Sequence, residues 1–382
     1  MRKRIIKKSR RIVVKVGSSV LVGVGGKEAG KEGGKGVHFA PKVFTHIAGA
    51  IHRGKLDGKE IVLVSSGAVA MGMKKLGRRP ATIPQRQAMA AVGQVLLMSR
   101  YSLSFERFKE EVAQVLLTYD DFADRRRFLN ARNTILTLLS SGVVPVINEN
   151  DTVSVEEIKF GDNDNLSALT TNLIEADLLI MLSDTDGLYD KDPKADKSAK
   201  KIAVVEDIDL LKISWMGAKA GFYGTGGIAS KVSAAKKAAH FGSSTIIANG
   251  TEPDILARIF DGEDVGTLIL PKEDRLTSKK HWIAYSTRPS GRVFVDNGAK
   301  AALLEKGRSL LPSGIVRVEG SFEAGEVIHC VDEKGMEFAR GVVNYSSQEV
   351  DKIKGLKTGR IEDVLGYRVY DEVIHRDNLV VM

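Results

Sequence analysis

Lys15 stands inside a run of apolar, mostly β-branched residues, Ile12 to Val16, and Gly17, Ser18 and Ser19 follow directly. A cation and a glycine-serine turn at the carboxyl end of a buried strand suit an anionic ligand. Open α/β sheets bind ligands at that end, and free backbone N–H groups there converge on oxygen atoms. The pattern alone fits an edge strand with Lys15 in water equally well. Ser65, Ser66 and Gly67 repeat the arrangement after a second run, Glu60 to Ser65. A third glycine-rich turn, Thr225 to Gly227, opens a helix that bears Lys231. Such a helix start binds an anion or is simply a cap. The stretches Asn148-Glu149-Asn150-Asp151 and Gly161-Asp162-Asn163-Asp164-Asn165 bracket one loop. Either alone reads as a solvated turn, but two on one loop make a stronger signal.

Other phosphate and metal patterns fail on single residues. Gly25 to Lys31 and Gly49 to Lys55 approach a Walker loop, yet Glu32 and Leu56 follow where Ser or Thr should hold the metal. Gly224, Gly226 and Ala229 fit a dinucleotide fingerprint, but no strand leads in. Asp162 and Asp164 resemble the start of a calcium loop that lacks its sixth-place glycine and terminal glutamate.

The elements that must position these residues alternate between strand and helix. Ile12 to Val16, Glu60 to Ser65, Val112 to Leu117, Val143 to Ile147, Leu178 to Leu182 and Thr245 to Ala248 read as buried strands. A helix starting at Pro41 buries Val43, Ile47 and Ile51 and is expected to stop at Gly54; another, Phe128 to Ser141, ends at Gly142. Near-continuous apolar strands predict an α/β fold with a mainly parallel open sheet sandwiched by helices. After Pro271 a polar stretch leads into short alternating strands, Arg292 to Asp296, Val316 to Glu319, Glu326 to Val331 and Glu337 to Val343, with one helix at Ala299 to Lys306. The expected division is residues 1–275, a linker 276–290, a small β-rich domain 291–370 and a tail 371–382. Gly23 to Gly36, rich in Gly and Lys, reads as a loop, an opened hairpin or a lid.

A length of 382 residues, 43% of them apolar, suggests two domains, or three, each able to bury a core of its own. No window reaches the length of an uncharged apolar membrane span, and the single cysteine, Cys330, makes neither an internal disulfide nor a zinc cluster. The net charge of +9 sits largely at the amino terminus, where residues 1–11 hold seven Lys or Arg and no acid. Residues 291–382 sum to −2, which argues against RNA as a partner of that domain. Lys15 interrupts the apolar run that would otherwise mimic a signal peptide, so a cytoplasmic location is expected.

Taken together, the motifs resemble one family. Val14-Lys15-Val16-Gly17-Ser18-Ser19, Ser65-Ser66-Gly67-Ala68, Phe128-Leu129-Asn130-Ala131-Arg132, Pro145 to Asp151, Gly161 to Leu169, Ser183 to Tyr189 and Gly224-Thr225-Gly226-Gly227 are similar to the glutamate 5-kinases, enzymes of the amino acid kinase fold with a C-terminal PUA domain. Ser309-Leu310-Leu311-Pro312-Ser313-Gly314-Ile315 is similar to the PUA pattern. The resemblance implies phosphoryl transfer from ATP, with Mg²⁺, to the side-chain carboxylate of L-glutamate. It casts Lys15 and Lys231 as stabilisers of the transferring group, Asp164 as their orienting partner, and Asp162 beside the metal-nucleotide. It assigns Ser66, Asp151 and Asn163 to glutamate. The nucleotide falls to Lys15, Gly17, Ser18, Ser183, Asp184, Thr225, Gly226, Gly227, Ile228, Ala229, Ser230 and Lys231, and the metal ligands stay unassigned. It also implies feedback inhibition by proline, a homo-oligomer (dimer or tetramer) and transient contact with glutamyl phosphate reductase, with no membrane partner. The long Gly23 to Gly36 segment and the basic amino terminus depart from the family pattern without touching a motif residue. Alternatives are another enzyme of the same fold, or an RNA-binding or RNA-modifying PUA protein.

Overall fold

The apolar runs of the first two thirds of the chain pair into one eight-stranded sheet. The computed structural model describes residues 1–23, 38–39, 41–153, 163–193, 195–211, 227–271, 283 and 289–382. The chain divides into two units, Met1–Phe122 with Ala131–Glu273, and Ala123–Asn130 with Asp274–Met382. It opens with helix α1 (Arg2–Lys8), strand β1 (Arg11–Val16), the helical turn α2 (Ser18–Leu21) and the short pair β2 (Val22–Gly23) and β3 (His38–Phe39). Helix α3 (Pro41–Leu56), β4 (Glu60–Ser65), helices α4 (Ala68–Leu76) and α5 (Ile83–Glu106) and β5 (Val112–Leu117) follow. Next come α6 (Tyr119–Ala123), α7 (Arg125–Ser140), β6 (Val144–Glu149), α8 (Asn163–Leu173) and β7 (Leu178–Ser183). After the pair β8 (Leu188–Tyr189) and β9 (Lys201–Ile202) lie β10 (Val204–Val205), α9 (Ile228–His240), β11 (Ser244–Asn249), α10 (Ile255–Phe260) and β12 (Thr267–Ile269).

The sheet order is β10-β12-β11-β7-β1-β4-β6-β5. Every pairing is parallel except β11 with β12. β1 lies inside the sheet between β4 and β7, with Lys15 level with Val64 and Met181. Because both faces are covered, Ile12, Val13, Val14 and Val16 are all fully buried, which explains the continuous apolar run. From β1 the chain builds one side of the sheet through β4, β5 and β6, then crosses to the other side for β7 and β11. That reversal falls between β1 and β7, where an open sheet forms a crevice beyond its carboxyl ends.

Two glycines decide how the helices lie. A Cβ on Gly72 would come 1.8 Å from the Met89 carbonyl oxygen, and one on Gly93 would come 1.7 Å from that of Ala68. Helices α4 and α5 therefore meet backbone against backbone. Gly54 does not stop α3 as its sequence suggested. The helix continues to Leu56 because Gly54 faces Ile61 and Phe260, where a Cβ would come within 2.7 Å of Ile61, and the break comes at Gly58, with φ of 77°. The helix expected over 128–141 starts earlier, at Arg125.

In the second unit, β13 (Gly291–Val295), β14 (Ile315–Gly320), β15 (Val327–Val331), β16 (Glu337–Val342) and β17 (Leu379–Val381) form a sheet in the order β14-β13-β15-β16-β17. Helix α11 (Asn297–Lys306) follows β13, and Asp296 caps it by accepting the Ala299 N–H at 2.6 Å. The fifth strand comes from the stretch read in sequence as a tail, pairing antiparallel with β16. Cys330 is fully buried on β15, and burial pushes its thiol up to about 12, away from reactivity.

Candidate active site

Lys15 points from β1 toward α8, where its ammonium donates to Asp164 Oδ1. Lys231, in the first turn of α9, donates to the other oxygen, Asp164 Oδ2, at 3.2 Å, and Ser230 Oγ donates to the same oxygen at 2.7 Å. Lys15 is 4% exposed, Lys231 3% and Asp164 0%, so the edge-strand reading of Lys15 is excluded. Buried charges persist only when paired and hydrogen-bonded, and this cluster meets both conditions. Burial alone would raise the Asp164 carboxyl. The charges of Lys15 and Lys231, with hydrogen bonds from Lys15 and Ser230, outweigh it and hold the group well below the usual carboxylate range.

The surrounding backbone keeps the centre open to an anion. Gly17 donates its N–H to the Leu182 carbonyl at 3.0 Å, and a Cβ there would sit 3.7 Å from the Lys15 ammonium nitrogen. Ser18 begins α2 just beyond it. Gly227 is the N-cap of α9 with no side-chain cap, so the first-turn N–H groups around Ile228, Ala229 and Ser230 lack that partner. Ser183, at the end of β7, is buried with its hydroxyl 3.0 Å from Thr185 Oγ1, while Asp184 is exposed.

Asn163, one residue before Asp164 and so about 100° round the helix from it, meets a different set of partners. Its amide nitrogen donates to Ser66 Oγ at 2.8 Å and to Asn148 Oδ1 at 3.0 Å, and it lies 3.4 Å from the Ser65 carbonyl. Asn148 in turn donates to Gln94 Oε1 at 2.9 Å, and Gln94 to Gln114 Oε1 at 3.0 Å. The buried Ser65 hydroxyl lies 2.8 Å from the Tyr101 phenol. Asp151 lies half-buried in the turn that follows β6. Burial pushes its carboxyl up, partly offset by the charge of Arg86.

The structure thus gathers Lys15, Asp164, Ser230 and Lys231 into one cluster, and Ser66 with Asn163 into a second. Asp162, Thr225 and Gly226 lie outside the described residues. Gln94, Gln114 and Tyr101 were not legible as site residues; Asn148 stood in a polar stretch that was, without a role. Two held cations beside an uncapped helix start can neutralise charge on a phosphoryl group in transit, the main requirement of phosphoryl transfer.

A buried lysine pair on an α/β sheet is a feature of fold and site together, and comparison gives it a class. The chain matches the amino acid kinase family over residues 10–249, and it belongs to that family. Residues 291–365 match the PUA domain. Relatives that span the full length are named glutamate 5-kinase. That of Geobacter metallireducens is 52% identical over 384 residues, covering 100% of both chains. That of Geobacter sulfurreducens is 49% identical with the same coverage. One from a Thermoanaerobacter species is 50% identical, covering 97% of this chain and 98% of its own.

Proposed function

We propose that this chain transfers the γ-phosphoryl group of ATP to the side-chain carboxylate of L-glutamate, giving ADP and L-glutamyl 5-phosphate, the first step of proline biosynthesis. The observation that carries this reading is the buried pair of lysines sharing Asp164, in a chain whose full-length relatives bear that activity's name. The acceptor carboxylate is ionised at neutral pH, so no general base is needed. What the reaction needs is alignment and compensation of charge as the phosphoryl group moves between two anions. Lys15 and Lys231 supply the compensation, and Asp164 fixes both ammonium groups so that neither reorganises during transfer. Ser66, Asp151 and Asn163 hold glutamate. Gly17, Ser18, Ser183, Asp184 and the stretch Thr225 to Lys231 hold the nucleotide, its phosphates lying against the start of α9.

Among the described residues no three His, Cys, Asp or Glu side chains converge, and both Asp164 oxygens are engaged. This donor set fits a Mg²⁺ carried mainly by nucleotide phosphate oxygens and water, with Asp162 beside it. The ion would offset phosphate charge. No helix among the described residues is long and apolar enough to cross a membrane, and we place the protein in the cytoplasm. Residues 1–275 form the kinase domain, and the PUA domain starts at 291 and takes in β17 of the stretch expected as a tail; its role is structural or regulatory. A dimer or tetramer, inhibition by proline and transient contact with the reductase that consumes the product complete the reading.

The test incubates the protein with Mg-ATP, hydroxylamine and, separately, L-glutamate, N-acetylglutamate and L-aspartate. Acyl hydroxamate and ADP with L-glutamate alone are expected. Hydroxamate only with another acid would move the substrate, and no turnover with any acid would overturn the reading.

A further inference from the structure

The amides beside the catalytic centre form a row whose polarity is fixed at a backbone group. The Glu149 N–H donates to Asn148 Oδ1 at 2.9 Å. Since an N–H can only donate, that side-chain atom must be the oxygen, and the Asn148 nitrogen must face away, toward Gln94. The same oxygen accepts from Asn163 Nδ2, so the facing group of Asn163 must be its nitrogen. A second backbone group agrees, because the Ser65 carbonyl, which can only accept, lies on that side of Asn163. The remaining atom of the row, Asn163 Oδ1, is therefore turned the other way. It is buried and has no hydrogen-bond partner among the described residues.

A buried acceptor without a donor carries a cost that a matching ligand relieves. We infer that Gln94, acting through Asn148, is a positioning residue that aims Asn163 Oδ1 at the α-ammonium group of the substrate and so selects a free amino acid over a dicarboxylate lacking that group. The inference rests on the glutamate kinase reading and adds to it the origin of selectivity. Gln94 is 8% exposed and touches Asn148, not the lysine cluster. Its effect falls on recognition and leaves transfer alone. A site built to hydrogen-bond a donor discriminates strongly against the analogue without one, because its own polar atom is then left unpaired.

The experiment compares L-glutamate with glutarate, the same dicarboxylate without the ammonium group, as substrate or competitive inhibitor. In Gln94→Leu the Asn148 amide loses its acceptor and the row slackens. The KM for L-glutamate is expected to rise about tenfold, as for the loss of a hydrogen bond to a charged group, with kcat and the KM for ATP changed less than about twofold. The constant for glutarate, which never uses the acceptor, should move less than about threefold. Gln94→Glu keeps an acceptor toward Asn148, and exposed Gln114 is free to turn its amide; this variant should recover most of the selectivity. If Gln94→Leu does not fold, Asn148→Leu reads the same ratio. Equal losses for L-glutamate and glutarate, or no recovery in Gln94→Glu, would overturn the inference while leaving the kinase reading intact. Absence of L-glutamate turnover in the unaltered protein would overturn both.

Discussion

Asn163 and Asp164 are neighbours at the start of α8, yet they serve two different kinds of order. On the Asp164 side a carboxylate meets two ammonium groups and a hydroxyl, and every oxygen is taken, by Lys15, Lys231 and Ser230. On the Asn163 side the partners of the amide are all neutral, and one acceptor is left open. The contrast follows from magnitudes. An unpaired buried charge costs several kcal/mol, so the ionic half must be complete before substrate arrives. A single unmet neutral acceptor costs about 1–3 kcal/mol, which a folded domain tolerates until a ligand supplies the donor. Chemistry is built in advance and recognition is left incomplete, with one peptide bond between them.

Substitutions that hit one half and spare the other sharpen this division. The largest effect is expected from Lys231→Met, which should lower kcat by about 10²–10³-fold while the KM for L-glutamate stays within about twofold. A parallel rise in KM would erase the distinction. Asp164→Asn leaves two buried ammonium groups without their counter-charge and should lower the unfolding free energy in urea by about 3–5 kcal/mol.

That stability difference should also depend on pH. The folded-state carboxyl of Asp164 lies below its unfolded value, so its contribution is complete above the unfolded value of about 4 and fades as pH falls through the folded one. The gap between the unaltered protein and Asp164→Asn should be flat from about pH 5 to 7 and narrow below about pH 4. A gap that widened on acidification would reverse the sign assigned here. Ser66→Ala gives the smallest effect. It removes one acceptor from Asn163 Nδ2 but leaves Asn148 in place, and should raise the KM for L-glutamate about threefold to tenfold, with kcat nearly unchanged.

Much of this frame was legible in the sequence. β4 and β5 begin and end where their apolar runs do, and β1, β6, β7 and β11 differ by at most two residues at either end; the interior strands, buried on both faces, have no alternation to confuse, while β5 lies at the sheet edge and is only partly buried. Helix α5 has no clear signature in the sequence. Its buried face mixes Met89, Ala90, Gly93, Gln94, Leu97 and Tyr101, so no clean apolar stripe announces a helix of 24 residues. β17 leaves no mark in the sequence, since three residues are too few to carry a pattern. Lys15, Asp164 and Lys231 were recognisable as residue types at suggestive places, but spacing could not join partners 149 and 67 residues apart; their grouping came from resemblance to a family. Gln94 gave no signal, since a glutamine on a helix ordinarily reads as surface.

The contact at Gly93 has a consequence for how this protein can change. Gly93 precedes Gln94 on α5, and the carbonyl it presses against belongs to Ala68, two residues beyond Ser66. The two ends of the grip on Asn163 are thus held apart by the thickness of two bare backbones. An alanine there would force the helices to separate, because a carbonyl oxygen 1.7 Å from a methyl carbon cannot be accommodated by turning a side chain. A drift in which amino acid the enzyme accepts can therefore begin with a methyl group at a site that meets no substrate atom, written as a change of spacing rather than of chemistry.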